Sequence, residues 1–406
     1  MAVSFLFLLA GLIIMTGFFG NLFFEKTRVS DVLVLLGIGI FLGPVFGLVN
    51  PTLLTHFAEY FGTLALIIIL FEGGMDMDLD KLLKEFGTAS LLVLFSFFLS
   101  TLAIAAFLNQ VQGWELPVSL LLGIILGCTS AAIVIPIVSR MNLSSEIKTI
   151  ISLESALSDV LAVVFTLLLI EFIILGNVGI KAPFRAVANS FSTAIIAGIL
   201  IGMVWLKVLD LFRGKKYSYM VTLAAVLITF SVVDFFGGSG AIAVLVFGLI
   251  LGNSHDFGRF LKLRGHHLID DTIKFFHGEM TFFIRTFFFV YMGMIVTLKE
   301  LNVRFLTICG ALFLIILLVR YLSVGSTVMF YREKKQDIFT MWCMLPRGLA
   351  SAVLATLPTA ARIRGSEAFV DYTFVIIILT NLAMTIGVFL SDRRARRGDG
   401  PIDCGL

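Results

Sequence analysis

Asp159 is the residue whose type and surroundings most clearly indicate chemistry. It lies in an apolar run from Ile151 to Val164, and a carboxylate at membrane depth costs at least about 2.5–3.5 kcal/mol. Ser155 precedes it by four residues and Ser158 by one, so on a helix we expect the three side chains to share one face. A carboxylate beside two hydroxyls suits a hard cation or a proton. We therefore expect Asp159 to bind the two in competition.

The composition indicates the class of protein that carries this residue. The 406 residues are 59% hydrophobic and 14% charged, which excludes a soluble domain and is typical of a polytopic membrane protein. The four cysteines are scattered along the chain, so they suggest neither a disulfide framework nor a metal site. The formal net charge of +3 says little about partners.

Hydropathy predicts an all-α membrane protein with about thirteen transmembrane helices. The predicted bounds of these spans are 3–24, 31–49, 55–75, 86–108, 117–139, 146–174, 184–210, 217–235, 238–253, 275–298, 304–331, 337–361 and 367–391. An odd number of spans places the two termini on opposite sides of the membrane. With the N-terminus outside, the inner loops hold about 21 Lys and Arg residues and the outer loops about 6, which predicts a cytoplasmic C-terminus.

Short sequence echoes predict two inverted six-helix repeats joined by span 7. The paired segments, which share glycine, serine or proline positions, are 39–44 with 248–253, 71–75 with 291–294, and 130–136 with 351–358. All three pairs are seven spans apart, an offset that inverts the second copy, as in many secondary transporters. Glycine and proline within spans 5 and 12 predict two broken crossing helices. Such breaks indicate a substrate site at the crossing.

Five motifs occur on these spans in a fixed order. They are Phe71-Glu-Gly-Gly74, Thr129-Ser-Ala-Ala132, Glu154-Ser-Ala-Leu-Ser-Asp159, Val319-Arg-Tyr-Leu322 and Pro346-Arg-Gly-Leu-Ala-Ser-Ala352. Together they resemble the cation/proton antiporter superfamily, most closely its NhaP-type sodium/proton branch, over nearly the whole chain. The resemblance implies a NhaA/NhaP-like fold, a homodimer and an elevator-like motion.

The resemblance also implies a division of the chain into moving and static helices. The scaffold and dimerisation helices would be residues 1–85 and 217–300, and the core ion-transport helices 86–175 and 301–391. Residues 176–216 would form linker helix 7, and residues 392–406 a short basic cytoplasmic tail.

Site roles follow from the same resemblance. It implies a structural ion pair between Glu154 and Arg347, and removing one partner would leave a bare buried charge at a cost of roughly 3–5 kcal/mol. The expected ion-binding residues are Asp159, Ser155, Ser158, Thr129 and Glu72, with the monovalent cation held by Asp159, Ser155 and Thr129. Further candidates are Arg320, whose partner the sequence does not name, Ser130, and Arg285, a partner for Glu72 by repeat symmetry.

Several of these residues also have plainer interpretations. Asp159 could be a structural acid paired with a buried arginine, and Glu72 could be an interfacial carboxylate near water. Thr129 could bond to a carbonyl of its own helix. The inner loop from His255 to His277 could sense pH or could form an interfacial amphipathic segment.

The expected function is secondary antiport of internal Na⁺ or Li⁺ for external H⁺, electroneutral because one ionisable carboxylate remains. Ser158 and Ser130 stand where NhaP-type proteins usually carry asparagine and aspartate, so K⁺/H⁺ exchange is an alternative. A cation channel would favour charge rings or a carbonyl filter, and an intramembrane enzyme would need a catalytic constellation at membrane depth. An organic-anion symporter would lack that family's other motifs. Expected partners are monovalent cations, protons and the plasma-membrane bilayer, with no cofactor and no nucleic acid.

Overall fold

A computed structural model gives the structure of residues 8, 11–20, 31–47, 51–77, 79, 91–141, 143–175, 181–212, 215, 217–261, 271–295, 302–330 and 338–397. These residues form helices and connections, with no strand among them. Some predictions concern residues outside this set: the start of span 4, the basic loops around Lys26 and Lys81, the loop residues 262–270 and 331–337, and the tail from residue 398.

Helices account for most of the described residues. In chain order they are α1 (Gly11–Gly20), α2 (Asp31–Ile40, extended by a π-helical turn Phe41–Val45), α3 (Pro51–Asp76), α4 (Leu91–Gln110), α5 (Leu116–Gly127), α6 (Ala131–Arg140), α7 (Ser145–Leu175), α8 (Lys181–Leu211), α9 (Ser218–Phe235), α10 (Gly240–Gly252), α11 (Ser254–Phe260), α12 (Asp271–Ile295), α13 (Val303–Phe330), α14 (Ile338–Cys343), α15 (Leu349–Ala360) and α16 (Phe369–Arg397).

Within these residues, seven helical segments are long and apolar enough to cross a membrane, and one of them, Leu116–Ile135, includes the short break between α5 and α6. An eighth span results if α10 and α11, which meet at a bend of 80°, are taken together. Helices α1, α2 and α15 are apolar but shorter. Part of the difference from thirteen is physical, because the break between α14 and α15 leaves two helices that are each too short to cross a bilayer of about 30 Å. For the described part of the chain, an all-helical fold with several membrane spans is confirmed, and the number thirteen stays a prediction.

The chain divides into two compact units. The first comprises residues 1–59, 85–166 and 286–406, and the second comprises residues 60–84 and 167–285. Both stretches predicted as core ion-transport helices, up to Thr166 in the earlier one, lie in the first unit. The division into core, scaffold and linker helices concerns which helices move together, so it stays a prediction.

In the first unit, glycines bring α2 close to α12. A Cβ atom at Gly39 would meet the carbonyl oxygen of Val290 and the Cα of Gly293. A Cβ atom at Gly43 would meet the backbone of Met294. Because backbone cannot move aside as a flexible side chain can, these two positions of α2 accept only glycine without a change in helix spacing.

The second unit contains a similar approach between α3 and α10. A Cβ atom at Gly248 would meet the carbonyl oxygen of Phe71, and one at Gly252 would meet the carbonyl oxygen of Met75. The contact is reciprocal, since a Cβ atom at Gly74 would meet the backbone of α10. Two helix pairs, one in each unit, are therefore packed backbone to backbone through glycine.

Alanine substitution on α2 tests the close approach. We expect Gly39→Ala to destabilise the protein by roughly 1–3 kcal/mol, because the added methyl group overpacks the contact. The matched control is Gly37→Ala on the same helix, where an added Cβ has nothing within 4 Å and alanine is the better helix former. Thermal unfolding of the purified variants in detergent measures the difference. Equal melting temperatures for the two variants would contradict the packing described here.

Candidate functional site

Two helix breaks meet inside the first unit. Residues 128–130 separate α5 from α6, and residues 344–348 separate α14 from α15. The amide of Ser130 in the first break donates to the carbonyl of Pro346 in the second, at 2.9 Å. Spans 5 and 12 are therefore broken as the sequence predicts. Each break supplies a hydrogen-bond partner for backbone groups that the other leaves outside helical bonding.

Asp159 lies on α7 at the first of these breaks. Its Oδ2 accepts a hydrogen bond from the amide of Ala131, the first residue of α6, at 3.0 Å. The N-terminal end of a helix carries a partial positive charge, which favours an anion at this position. The Oδ1 atom is buried and has no hydrogen-bond partner among the described residues, although the residue as a whole is only half-buried. One carboxylate oxygen is held, and the other can take a proton or a cation.

Hydrogen bonds of Thr129 and Ser158 connect the first break to α7. The Thr129 amide donates to the hydroxyl of Ser158 at 3.1 Å, and that hydroxyl lies 3.0 Å from the carbonyl oxygen of Ser155 and 3.4 Å from that of Thr129. The Thr129 hydroxyl donates to Oε1 of Glu154 at 3.3 Å. Thr129 therefore bonds to α7 rather than to a carbonyl of its own helix. Both side chains of this contact are buried.

The structure also places the other two predicted hydroxyls, those of Ser155 and Ser130. Ser155 is fully buried, and its hydroxyl donates to the carbonyl of Ser152 on the same helix at 3.0 Å. Ser130 packs against the second break, where a Cβ at Gly348 would meet its side chain. A hydroxyl that donates its hydrogen still has oxygen lone pairs to offer, so the Ser155 bond does not exclude a cation ligand.

The structure corrects the predicted ion pair, since Glu154 pairs with Arg320 rather than with Arg347. Oε1 of Glu154 lies 2.9 Å from Nη1 of Arg320, and the two side chains are 0% and 2% exposed. Arg320 also donates to the carbonyl of Met341 at 3.1 Å and to the hydroxyl of Ser96 at 3.3 Å. The sequence named no partner for Arg320, and the structure supplies one from α7.

Arg347 instead bonds to backbone carbonyls exposed by the helix breaks. Its Nε donates to the carbonyl of Leu126 and its Nη1 to that of Leu345, both at 2.8 Å. The last carbonyls of a helix have no amide partner within it, and a cation is favourable near them. Two residues of α16 hold the Arg347 backbone: Thr380 accepts from its amide at 3.1 Å, and Asn381 donates to its carbonyl at 2.8 Å. Arg347 therefore stabilises the breaks.

Glu72 belongs to the second unit, where it lies on α3. Asp76 on the same helix and Arg285 on α12 are close enough for their charges to act on its carboxylate, and Thr281 lies beside it. The structure thus places Arg285 near Glu72. The participation of Glu72 in ion binding stays a prediction.

His277 differs from its predicted position at the edge of a loop. It lies within α12, is 1% exposed, and packs against Phe71 with ring centroids 4.8 Å apart. His255 is half-exposed and lies 3.2 Å from Asp256. A buried ring among aromatic side chains is shielded from water, so an interfacial surface segment does not extend to His277. A role of the loop in pH sensing stays a prediction.

Sequence reasoning missed two residues that lie where the breaks meet, Cys128 and Ser351. The sulfur of Cys128 is 3.3 Å from the hydroxyl oxygen of Ser351, and both residues are buried. A signal was present, because Cys128 directly precedes Thr129 and Ser351 lies in the motif that follows Pro346. Their proximity depends on the way two distant spans meet, which no local pattern states.

The chain is similar to known transport proteins. The family model described as sodium/hydrogen exchanger, transmembrane, matches residues 10–391. The chain is 25% identical to Na(+)/H(+) antiporter 1 of Methanocaldococcus jannaschii over 385 residues, which is 90% of this chain and 87% of that protein. It is 26% identical to K(+)/H(+) antiporter NhaP2 of Shewanella oneidensis over 342 residues, which is 82% of this chain but only 57% of that longer protein.

A third relative is Na(+)/H(+) antiporter ApNhaP of Aphanothece halophytica, 25% identical over 92% of this chain and 72% of that protein. Among solved structures, the sodium proton antiporter MjNhaP1 from Methanocaldococcus jannaschii at pH 8 superposes with a TM-score of 0.75. That comparison covers 97% of this chain and 98% of the other at 23% identity. At 23% identity, this structural similarity is evidence for a shared fold alone.

Proposed function

The chain belongs to the sodium/hydrogen exchanger family, and from this premise we propose that it exchanges a monovalent cation for a proton across a cell membrane. The proposed cation is internal Na⁺ or Li⁺, exchanged for external H⁺. The proposal rests on the hydrogen bonding of the two carboxylate oxygens of Asp159. One of its oxygens is held by the N-terminus of α6, and the other is buried without a hydrogen-bond partner in the described structure. A proton and a cation would compete for that oxygen.

Electroneutral exchange is proposed from the charges around the breaks. Glu154 is paired with Arg320 at 2.9 Å, and the charge of Arg347 lies against the carbonyls of two residues. Among the described residues of this cluster, Asp159 is then the carboxylate without a salt bridge, although the charge of Arg347 acts on it. A cation that replaces its proton leaves the net charge of the site unchanged, so one proton would cross for each cation.

The proposed cation ligands are Asp159, Ser155 and Thr129. Small alkali cations are hard and prefer oxygen ligands, and each residue offers one: a carboxylate, a hydroxyl and a backbone carbonyl. Ser158 would act on the ligand set by fixing Thr129, to which it is bonded in both directions. Glu72 is proposed as a further ion-binding residue, as the sequence predicts.

Alternating access by an elevator-like motion of the core helices, in a homodimer of thirteen-helix chains with the N-terminus outside, completes the proposal. The glycine contacts support its inverted repeats. Segment 39–43 packs against 290–294, and segment 248–252 packs against 71–75. Replacing each segment by its predicted counterpart turns one contact into the other, as two inverted copies of one arrangement require.

K⁺ is the second candidate cation. Ser130 offers a hydroxyl where a carboxylate would strengthen the attraction for a small, strongly hydrated ion. A relative of similar identity is named as a K(+)/H(+) antiporter. A weaker field at the site would favour the larger ion, which loses its hydration shell more readily.

Proton exchange in proteoliposomes tests the function. A preset pH gradient is challenged with Na⁺, Li⁺ and K⁺ in turn, from mildly acidic to mildly alkaline pH. We expect Na⁺ and Li⁺ to dissipate the gradient, at a rate that an imposed membrane potential does not change. Dissipation by K⁺ alone would replace the cation and keep the antiport. No response to any of the three cations would contradict the proposed function, and a rate that follows the membrane potential would contradict electroneutrality.

A further inference from the structure

Cys128 and Ser351 occupy the meeting point of the two breaks but have no part in the exchange described so far. Cys128 lies in the first break, and Ser351 lies in the first turn of α15 after the second. Their side chains are 1% and 0% exposed, and Sγ is 3.3 Å from Oγ. The sulfur is also 3.6 Å from the carbonyl oxygen of Ile125. This buried contact therefore joins the two broken spans at the point where they meet.

Asp159 is the neighbour that gives this contact a chemical role. The thiol of Cys128 lies beside its carboxylate, within reach of donating a hydrogen bond to it. The Oδ1 atom of that carboxylate is buried and has no hydrogen-bond partner in the described part of the chain. The thiol hydrogen has two other acceptors within reach, Ile125 and Ser351. When the thiol hydrogen turns from the carboxylate to one of these acceptors, a sulfur lone pair can face a cation bound to Asp159 without movement of any heavy atom.

We propose that Cys128 and Ser351 are specificity-determining residues of the cation site, and that they form the wall against which a cation bound to Asp159 rests. The inference depends on the proposed function, because it deepens the same site. Sulfur is larger and more polarisable than oxygen and suits softer ions, whereas hard ions prefer oxygen. A wall with one sulfur and one hydroxyl shifts the preference away from Na⁺ and Li⁺, toward the larger K⁺ and above all toward the polarisable Tl⁺.

Exchanging sulfur and oxygen tests the wall with little change of shape. Cys128→Ser replaces the sulfur by oxygen, and we expect the ratio of apparent affinities for Na⁺ over Tl⁺ to rise roughly fivefold, the effect of one ordinary polar contact. Ser351→Cys adds a second sulfur and should lower that ratio. Apparent KM values for Na⁺, Li⁺, K⁺ and Tl⁺ are measured in proteoliposomes at one fixed pH. If the two residues had a purely structural role, the apparent KM values for all four cations would change alike, and their ratios would stay the same.

Cys309→Ser is the matched control, since Cys309 is a buried cysteine on α13 outside the breaks. We expect its cation ratios to equal those of the unmodified protein. Wild-type ratios in both Cys128→Ser and Ser351→Cys would overturn the inference. If Cys128→Ser does not fold, the cation ratios of Ser351→Cys and the infrared measurement described next test the inference instead.

Infrared spectroscopy separates this inference from the proposed function. The S–H stretching band of Cys128 is isolated as the difference between the wild type and Cys128→Ala. We expect Tl⁺ to shift this band more than Na⁺, and Asp159→Asn to abolish the shift. A cation-dependent shift in a protein that exchanges no protons would contradict the proposed function and support the proposed cation wall. Exchange without a shift of the S–H band, together with unchanged cation ratios in the two variants, would contradict the cation wall and leave the proposed function intact.

Discussion

Asp159→Asn is expected to abolish cation/proton exchange and to leave the protein folded. The asparagine side-chain oxygen can still accept the hydrogen bond that the Ala131 amide donates at 3.0 Å. The amide cannot take up and release a proton, and it has no negative charge to offer a cation. Exchange in proteoliposomes should therefore fall to the level of protein-free vesicles, while the melting temperature in detergent stays close to that of the wild type.

The control for this variant is Asp234→Asn. Asp234 is exposed near the end of α9, so the same chemical change should there leave exchange unaffected. Transport retained by Asp159→Asn would remove the central role of this carboxylate. A variant that loses both transport and folding would favour the plainer interpretation of Asp159 as a structural acid.

The membrane class, the helical fold and the two breaks could be predicted from the sequence because each depends on local composition. Apolar runs of about 20 residues can only be spanning helices, and the glycines and polar residues at 127–130 and 344–348 interrupt such runs. The prolines that follow the breaks were a less direct guide. Pro358 lies inside α15, and α6 continues through position 136, so the breaks precede both prolines.

The ion pair shows why the rest of the site could not be predicted. The sequence offers two deep arginines for one structural acid, and counting charges does not choose between Arg320 and Arg347. The choice depends on carbonyls that become available only where a helix is broken, such as that of Leu126. Cys128 and Ser351 were not predicted as site residues for a related reason, since their 3.3 Å contact joins spans more than 200 residues apart.

Glu154→Ala is expected to destabilise the protein by about 3–5 kcal/mol, because it leaves the guanidinium of Arg320 buried without its counter-charge. Both side chains are almost fully buried, so water cannot replace the lost partner. The change should lower the folded yield and the melting temperature in detergent. Exchange by whatever protein remains folded is a secondary measurement, since Glu154 also accepts a hydrogen bond from Thr129. A fully stable Glu154→Ala protein would contradict a structural pair.

A double-mutant cycle identifies which arginine is the partner. Glu154→Gln and Arg320→Gln should each destabilise the protein, and the double variant should be more stable than the sum of the two effects predicts, with a coupling of about 0.5–3 kcal/mol. The same cycle with Arg347→Gln should give a smaller coupling, because the nitrogens of Arg347 are bonded to the carbonyls of Leu126 and Leu345. A larger coupling with Arg347 would restore the pair inferred from the sequence.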